Sequence, residues 1–169
     1  MAEPATHRDP LLVIFVCWGN ICRSPIAERV AIRQGSEAGL TGVEFTSAAT
    51  SSEELGEPMD PRAASILRQH GYDADDHVAH RIDRAELAGA DLVIAMEDIH
   101  VRKLRGLDPD TDRIALLTDF DPDAEPGSGV PDPWYGEDSG FADTLRAIEA
   151  AMPGILDRAR ELSSERAER

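Results

Sequence analysis

The sequence predicts an α/β fold, a four-stranded parallel sheet with helices on both of its faces, and three observations carry that prediction. Four short apolar runs alternate with stretches of helical pattern, the rhythm of strand–helix–strand crossovers. The first run, Leu11 to Cys17, is apolar at every position, as a strand buried on both faces of a parallel sheet must be. The chain has 169 residues, enough for one core and too few for two. The expectation is one domain over 1–169, with its core over about 11–162 and short flexible termini.

Leu11 to Cys17 is the first strand. A short glycine-containing turn leads to Ser24, Pro25 and Glu28, which read as N-cap, first-position proline and acidic first turn of a helix ending near Gly35. Val43 to Ser47 alternates as a second strand, and Pro61 to His70 reads as a helix with proline near its start and Gly71 just past its end. Asp91 to Met96 and Arg113 to Leu117 are the third and fourth strands, each preceded by a helical stretch, Arg84 to Ala88 and Ile99 to Leu104. From Thr118 to Gly140 the pattern stops, since Pro122, Pro126, Pro131 and Pro133 with the intervening glycines exclude regular structure. A loop of that length in a compact domain is either functional or disordered. Phe141, Leu145, Ile148, Met152, Ile155, Ala159 and Leu162 then recur at spacings of three and four, the stripe of a closing helix that Pro153 is expected to kink or divide. Ser163 to Arg169 is expected to fray, and the chain has neither an internal repeat nor an interdomain linker.

Composition narrows the function classes. With 41% hydrophobic and 30% charged residues the chain is globular in balance, which argues against disorder. Thirty-three acidic against 17 basic residues give a net charge of −16, which argues against nucleic acid and anionic membranes as partners. The two cysteines, Cys17 and Cys22, lie too close together to staple a secreted fold. No apolar run reaches the roughly 20 residues needed to cross a bilayer. Met1 to Pro10 lacks the grammar of a signal peptide, so a soluble protein of the reducing cytoplasm is expected. The single lysine, Lys103, is assigned no function.

Chemistry concentrates between Val16 and Pro25, where a buried strand ends and a helix begins. That is the edge of an open α/β sheet at which ligands bind, and backbone N–H groups of such a turn, backed by a helix N-terminus, form a concave anion site. Gly19 and Asn20 are residue types that tolerate the positive φ an inward-folded loop needs. Cys17 sits at the floor of this cradle. Free thiols titrate near ~8.5, and helix-terminal amides with a guanidinium lower such values to ~3.5–7.5, leaving a thiolate nucleophile. Arg23 can return over the loop to hold two oxyanion oxygens, and the Ser24 hydroxyl can donate to the sulfur besides capping the helix. Two thiols without a second pair or a nearby histidine do not build a zinc site, so no metal and no cofactor are expected.

The run Val16-Cys17-Trp18-Gly19-Asn20-Ile21-Cys22-Arg23-Ser24-Pro25 after a first strand resembles the low-molecular-weight protein tyrosine phosphatase family, whose flavodoxin-like strand order and late Asp-Pro-aromatic signature also match, here as Asp132-Pro133-Trp134-Tyr135-Gly136. The resemblance implies that Cys17 attacks phosphorus to give a cysteinyl-phosphate, while Arg23 and the loop from Trp18 through Gly19, Asn20, Ile21 and Cys22 to Ser24 hold the oxygens. Asp132 would protonate the leaving phenolate and then activate the hydrolytic water. Trp134 and Tyr135 would wall the aryl ring, and Trp18 would stack against a flat aromatic substrate. Ser47 and His77 match the family residues that brace the loop asparagine, Asn20, although Ala49 and His80-Arg81 depart from the family pattern. Glu97 stands where the family usually has aspartate and is assigned no role, and His7, His70 and His100 are read as surface residues. The implied partner is a phosphotyrosine-containing protein or an aryl phosphate, acted on by a monomer.

Rival readings are weighed against the same residues. Asp119 to Asp123 resembles the DxD nucleophile of magnesium-dependent aspartyl phosphatases, but only 46 residues follow it and the one lysine lies upstream. An arsenate reductase of the same fold, served by an external thiol, leaves Asp132 and its aromatic neighbours unexplained; a relay version needs further cysteines. Phosphoarginine hydrolysis goes with a small residue where this chain has Ile21, and a non-catalytic phosphate-binding module would lack the nucleophile or the acid. Cys22 is either the partner of Cys17 in a reversible protective disulfide or a buried loop thiol.

Overall fold

Alternation along β1 (Leu11–Cys17) decides the layering. Leu11, Val13, Phe15 and Cys17 point into one apolar cluster, and Ile14 and Val16 into another on the opposite face. The computed structural model describes residues 9–137 and 139–168, apart from the side chain of Tyr135. The remaining elements are α1 (Arg23–Glu37), β2 (Val43–Ala49), α2 (Pro61–Gln69), α3 (Arg84–Gly89), β3 (Leu92–Ala95), α4 (Asp98–Leu107), β4 (Ile114–Leu116) and α5 (Ser139–Ala167). Short 3-10 turns occupy Leu117–Phe120 and Pro133–Tyr135. All four strands are parallel in the order β2-β1-β3-β4, with Phe15 paired to Ser47 on one side and Ile94 on the other.

The first face carries α1, α2 and α5 through Ile26, Val30, Leu67, Leu145, Ile148 and Ile155. The second carries α3 and α4 through Leu87, Val101 and Leu104, packed on Ile14, Val16, Val93 and Ala95. Because β1 lies between β2 and β3, consecutive crossovers diverge at its carboxyl end and leave a crevice there. Among the described residues no helix is long and apolar enough to cross a membrane.

Four expectations are corrected. The residue before α1 is Cys22, not Ser24; Ser24 lies inside the helix with its hydroxyl turned to Cys17 and Asn20, so it caps nothing. Pro25 stands at the third helical position rather than the first, where its missing N–H would have no intrahelical partner in any case, and Glu28 falls beyond the first turn. Pro153 does not divide α5, which runs unbroken from Ser139 to Ala167. The proline is exposed while Ile148, Met152, Ile155 and Leu156 are buried around it, so apolar packing holds the axis. The stretch from Thr118 to Gly140 is not wholly irregular, since it contains the two 3-10 turns and the first residues of α5. His100 is buried rather than on the surface: its Nδ1 accepts the Glu97 N–H at the start of α4. His70 is exposed, and His7 lies outside the described residues.

Candidate active site

Asn20 organises the turn from β1 to α1. It is completely buried with φ of 61°, the left-handed region that asparagine tolerates better than most residues. Its Nδ2 donates to Ser24 Oγ at 2.8 Å and to Ser47 Oγ at 2.9 Å, and its Oδ1 accepts the His80 N–H at 3.2 Å. Its main-chain carbonyl meets His77 Nε2 at 2.6 Å. Burial pushes the His77 pKa down, so the ring is neutral and carries its proton on Nε2 to make this bond. The Ser47 hydroxyl in turn donates a hydrogen bond to Glu28 Oε1 at 3.2 Å.

Because Asn20 fills an acceptor site on Ser24, the Ser24 hydroxyl proton is free to point at Cys17 Sγ, 3.0 Å away. Cys17 is 2% exposed and ends β1 at the crevice. Cys22 is also buried, and both cysteines are free thiols. Burial, reinforced by the Asp60 carboxylate, pushes the Cys22 thiol far up, so it stays protonated where Cys17 is to react.

Arg23 is 2% exposed, and the hydrogen bonds of its guanidinium to the described residues all leave from Nη1. Nη1 donates to Glu97 Oε1 and to the Val130 carbonyl, the latter at 2.8 Å. Nε has no hydrogen-bond partner among the described residues, and Nη2 stands 3.5 Å from Asp132 Oδ2. The edge formed by Nε and Nη2 is therefore the one left for an oxyanion, which it can grip bidentately. Glu97 is a site residue that sequence reasoning missed. The available signal was Glu97-x-x-His100, a capping pair that fixes the first turn of α4 immediately beyond β3.

The long loop reaches the site because Gly129, at φ of 72°, lets the chain press against the end of β3: a β-carbon there would lie 3.1 Å from the Met96 carbonyl. Val130 N–H then bonds that carbonyl at 2.7 Å, which delivers the Val130 carbonyl and Asp132 to Arg23. Asp132 Oδ1 accepts the Trp134 N–H at 3.1 Å, leaving Oδ2 toward the guanidinium edge.

Cys17, Trp18, Gly19, Ile21, Cys22, Arg23, Asp132 and Trp134 line one cleft of about 270 Å³, together with Glu53 and Glu54. Trp134 is 44% exposed, with the Arg62 guanidinium 5.2 Å from its ring centre. Trp18 is fixed at its edge by Glu53, 3.0 Å from Nε1, and the Lys103 ammonium lies over its ring at 4.8 Å, so the lysine left without a role has one against the cleft wall. The Tyr135 side chain lies outside the described residues. A larger hollow of about 550 Å³ between α1 and α5 is lined by Arg33, Tyr72 and Pro153 and contains no nucleophilic thiol. Asp119 to Asp123 lines none of the cleft, and Asp121 is spent on the Asp123 N–H.

A family model described as low molecular weight phosphotyrosine protein phosphatase matches residues 12–167. The chain is 44% identical over 151 residues to low molecular weight protein-tyrosine phosphatase A of Mycobacterium tuberculosis, covering 88% of this chain and 91% of that one. It is 34% identical over 164 residues to the low molecular weight phosphotyrosine protein phosphatase of Homo sapiens, covering 94% and 99%. Among solved structures it is similar to YfkJ from Bacillus subtilis, with a TM-score of 0.84 at 28% identity over 92% of this chain and 98% of the other. The protein tyrosine phosphatase from Entamoeba histolytica with Hepes in its active site gives a TM-score of 0.84 at 28% identity over 89% and 97%.

Proposed function

From the premise that the chain belongs to the low molecular weight phosphotyrosine protein phosphatase family, we propose that it hydrolyses phosphotyrosine in proteins and small aryl phosphates through a phosphoryl group carried on Cys17. One observation supports the assignment above the others: a buried arginine whose Nη1 is occupied and whose Nε edge is vacant lines the same cleft as a buried cysteine and an aspartate. That edge suits the equatorial oxygens of a phosphoryl group being transferred to sulfur.

In the first step the Cys17 thiolate attacks phosphorus, the P–O bond to the aryl group breaks, and the Asp132 carboxyl gives its proton to the leaving oxygen. Oδ2 is the oxygen that carries it, since Oδ1 is committed to the Trp134 N–H. In the second step water attacks phosphorus, Asp132 takes the proton, the P–S bond breaks, and Cys17 returns as thiolate with inorganic phosphate released. The Ser24 hydroxyl stabilises the sulfur anion at the start and end of the cycle. Free Cys17 and Cys22 suit an enzyme of the reducing cytoplasm.

Turnover of para-nitrophenyl phosphate by the wild type, Cys17→Ser and Asp132→Ala tests the reading. The serine variant is expected to be inactive and the alanine variant slowed by about 10²–10⁴-fold. Full activity in Cys17→Ser would refute the mechanism, and an unchanged Asp132→Ala would give the acid role to another residue.

A further inference from the structure

One side chain, Arg62, joins the start of α2 to the loop that carries Asp132. Asp60 is the N-cap of that helix: its Oδ1 accepts the Arg62 N–H at 2.8 Å, and its own N–H bonds the Ile21 carbonyl of the phosphate loop at 2.9 Å. The Asp60 carboxylate is buried, and the Arg62 guanidinium folds back to grip both of its oxygens, Nε to Oδ1 at 3.1 Å and Nη2 to Oδ2 at 3.0 Å. That fork sets the guanidinium against two rings, with Cζ 4.6 Å from the ring centre of Phe141 in α5 and 5.2 Å from that of Trp134. The remaining nitrogen, Nη1, lies 3.5 Å from the Trp134 carbonyl.

Trp134 is a residue that needs such a hold. Its side chain is exposed, so burial alone does not fix it, yet the Trp134 N–H orients Asp132 by bonding Oδ1. A chain of contacts therefore runs from the Ile21 carbonyl through Asp60, Arg62 and Trp134 to the carboxyl that serves the leaving oxygen. Because the Asp60 carboxylate neutralises Arg62, this hold adds little net positive field beside a carboxyl that must carry a proton in the first step. We infer that Arg62 is a positioning residue for proton transfer, setting Asp132 against the leaving oxygen by clamping Trp134 to the start of α2. The inference deepens the phosphatase reading above and rests on it.

The experiment reads the ratio of kcat/KM for phenyl phosphate, whose phenolate leaves poorly without a proton, to that for dinitrophenyl phosphate, whose leaving group departs without one. The amount of folded enzyme cancels from this ratio, so a purely structural role of Arg62 would leave it unchanged. Arg62→Met is expected to lower the ratio about tenfold, within the roughly 10²-fold that a misplacement of about 1 Å costs. Arg62→Lys keeps a charge against Asp60 and the rings but loses the fork, and is expected to lower it less. In the Asp132→Ala background, where the ratio is already low, Arg62→Met is expected to change it by no more than about twofold, because the two substitutions remove the same step. A wild-type ratio in either Arg62 variant overturns the proposal, as does an equal fall in the Asp132→Ala background. A wild-type ratio in Asp132→Ala alone would take the acid role from that residue and overturn the proposal as well. Wild-type enzyme inert toward both esters would instead overturn the phosphatase reading, and this proposal with it.

Discussion

Both side-chain polar atoms of Asn20 and its carbonyl are spent inside the protein, and what they give up in solvation they return as geometry: Ser24 is turned so that its proton serves Cys17. Arg23 shows the same division of labour, with Nη1 fixed by Glu97 and the Val130 carbonyl so that Nε stays available and Nη2 faces Asp132. Lysine can supply the charge but not the fork, so Arg23→Lys is expected to lower kcat by about 10²–10³-fold, measured with para-nitrophenyl phosphate. A variant within a factor of two of wild type would mean that charge alone suffices. The stretch from Cys17 to Ser24 was legible as a site because its residues are contiguous and their spacing matches one chemistry. Glu97 was not, because it lies 74 positions from Arg23 and is recognisable only once β3 and α1 are brought side by side. Lys103 on Trp18 is hidden for the same reason.

At the level of elements, the periodicities placed all four strands and the helices around them, and they failed where a side chain or a close contact overrules local pattern. Pro153 looked like a break, yet burial of the α5 stripe holds the helix together. Its neighbour is the more demanding position: a β-carbon on Gly154 would lie 2.5 Å from the Phe120 carbonyl, where α5 presses on the turn after β4. Gly154→Ala gains helix propensity of about 1 kcal/mol, but the clash is with backbone that cannot swing aside. It is therefore expected to destabilise the fold by a net ~1–3 kcal/mol in denaturant melts; a stabilised variant would show that α5 can shift. His100 was misread as a surface residue because a polar residue at the third helical position is ordinarily exposed. Burial, helped by the Arg23 charge, pushes its pKa down to about 3, and its neutral Nδ1 accepts the Glu97 N–H. An unfolded His100 binds its proton near pH ~6.5, so its contribution is intact above that value and is lost as pH falls from ~6.5 toward the folded value, at up to ~1.4 kcal/mol per pH unit. His100→Asn removes that titration, so the stability advantage of wild type over the variant is expected to shrink between about pH 7 and pH 5. An advantage independent of pH would show that His100 does not charge on unfolding.

Taken as a whole, the molecule sets a short-range cationic edge inside a long-range negative field, with a net charge of −16 around a cleft that receives a dianion. Adding salt screens the distant carboxylates more than the buried Arg23, so kcat/KM for para-nitrophenyl phosphate is expected to rise between about 20 and about 200 mM salt. A fall would mean that attraction at the cleft outweighs the field. The fold class and the switch-point crevice were readable from four apolar runs, but the way the long loop closes the site was not. That closure depends on Gly129 nesting against Met96, a contact with no local signature. The central claim is that phosphate is carried on Cys17, and it is tested most directly by trapping the intermediate. Asp132→Ala, which lacks the base for the second step, is mixed with para-nitrophenyl phosphate, denatured rapidly at mildly alkaline pH, digested and examined by mass spectrometry. The account predicts one phosphoryl group on the peptide containing Cys17, located on that residue; phosphate on Cys22, on another residue, or on none during turnover would contradict it.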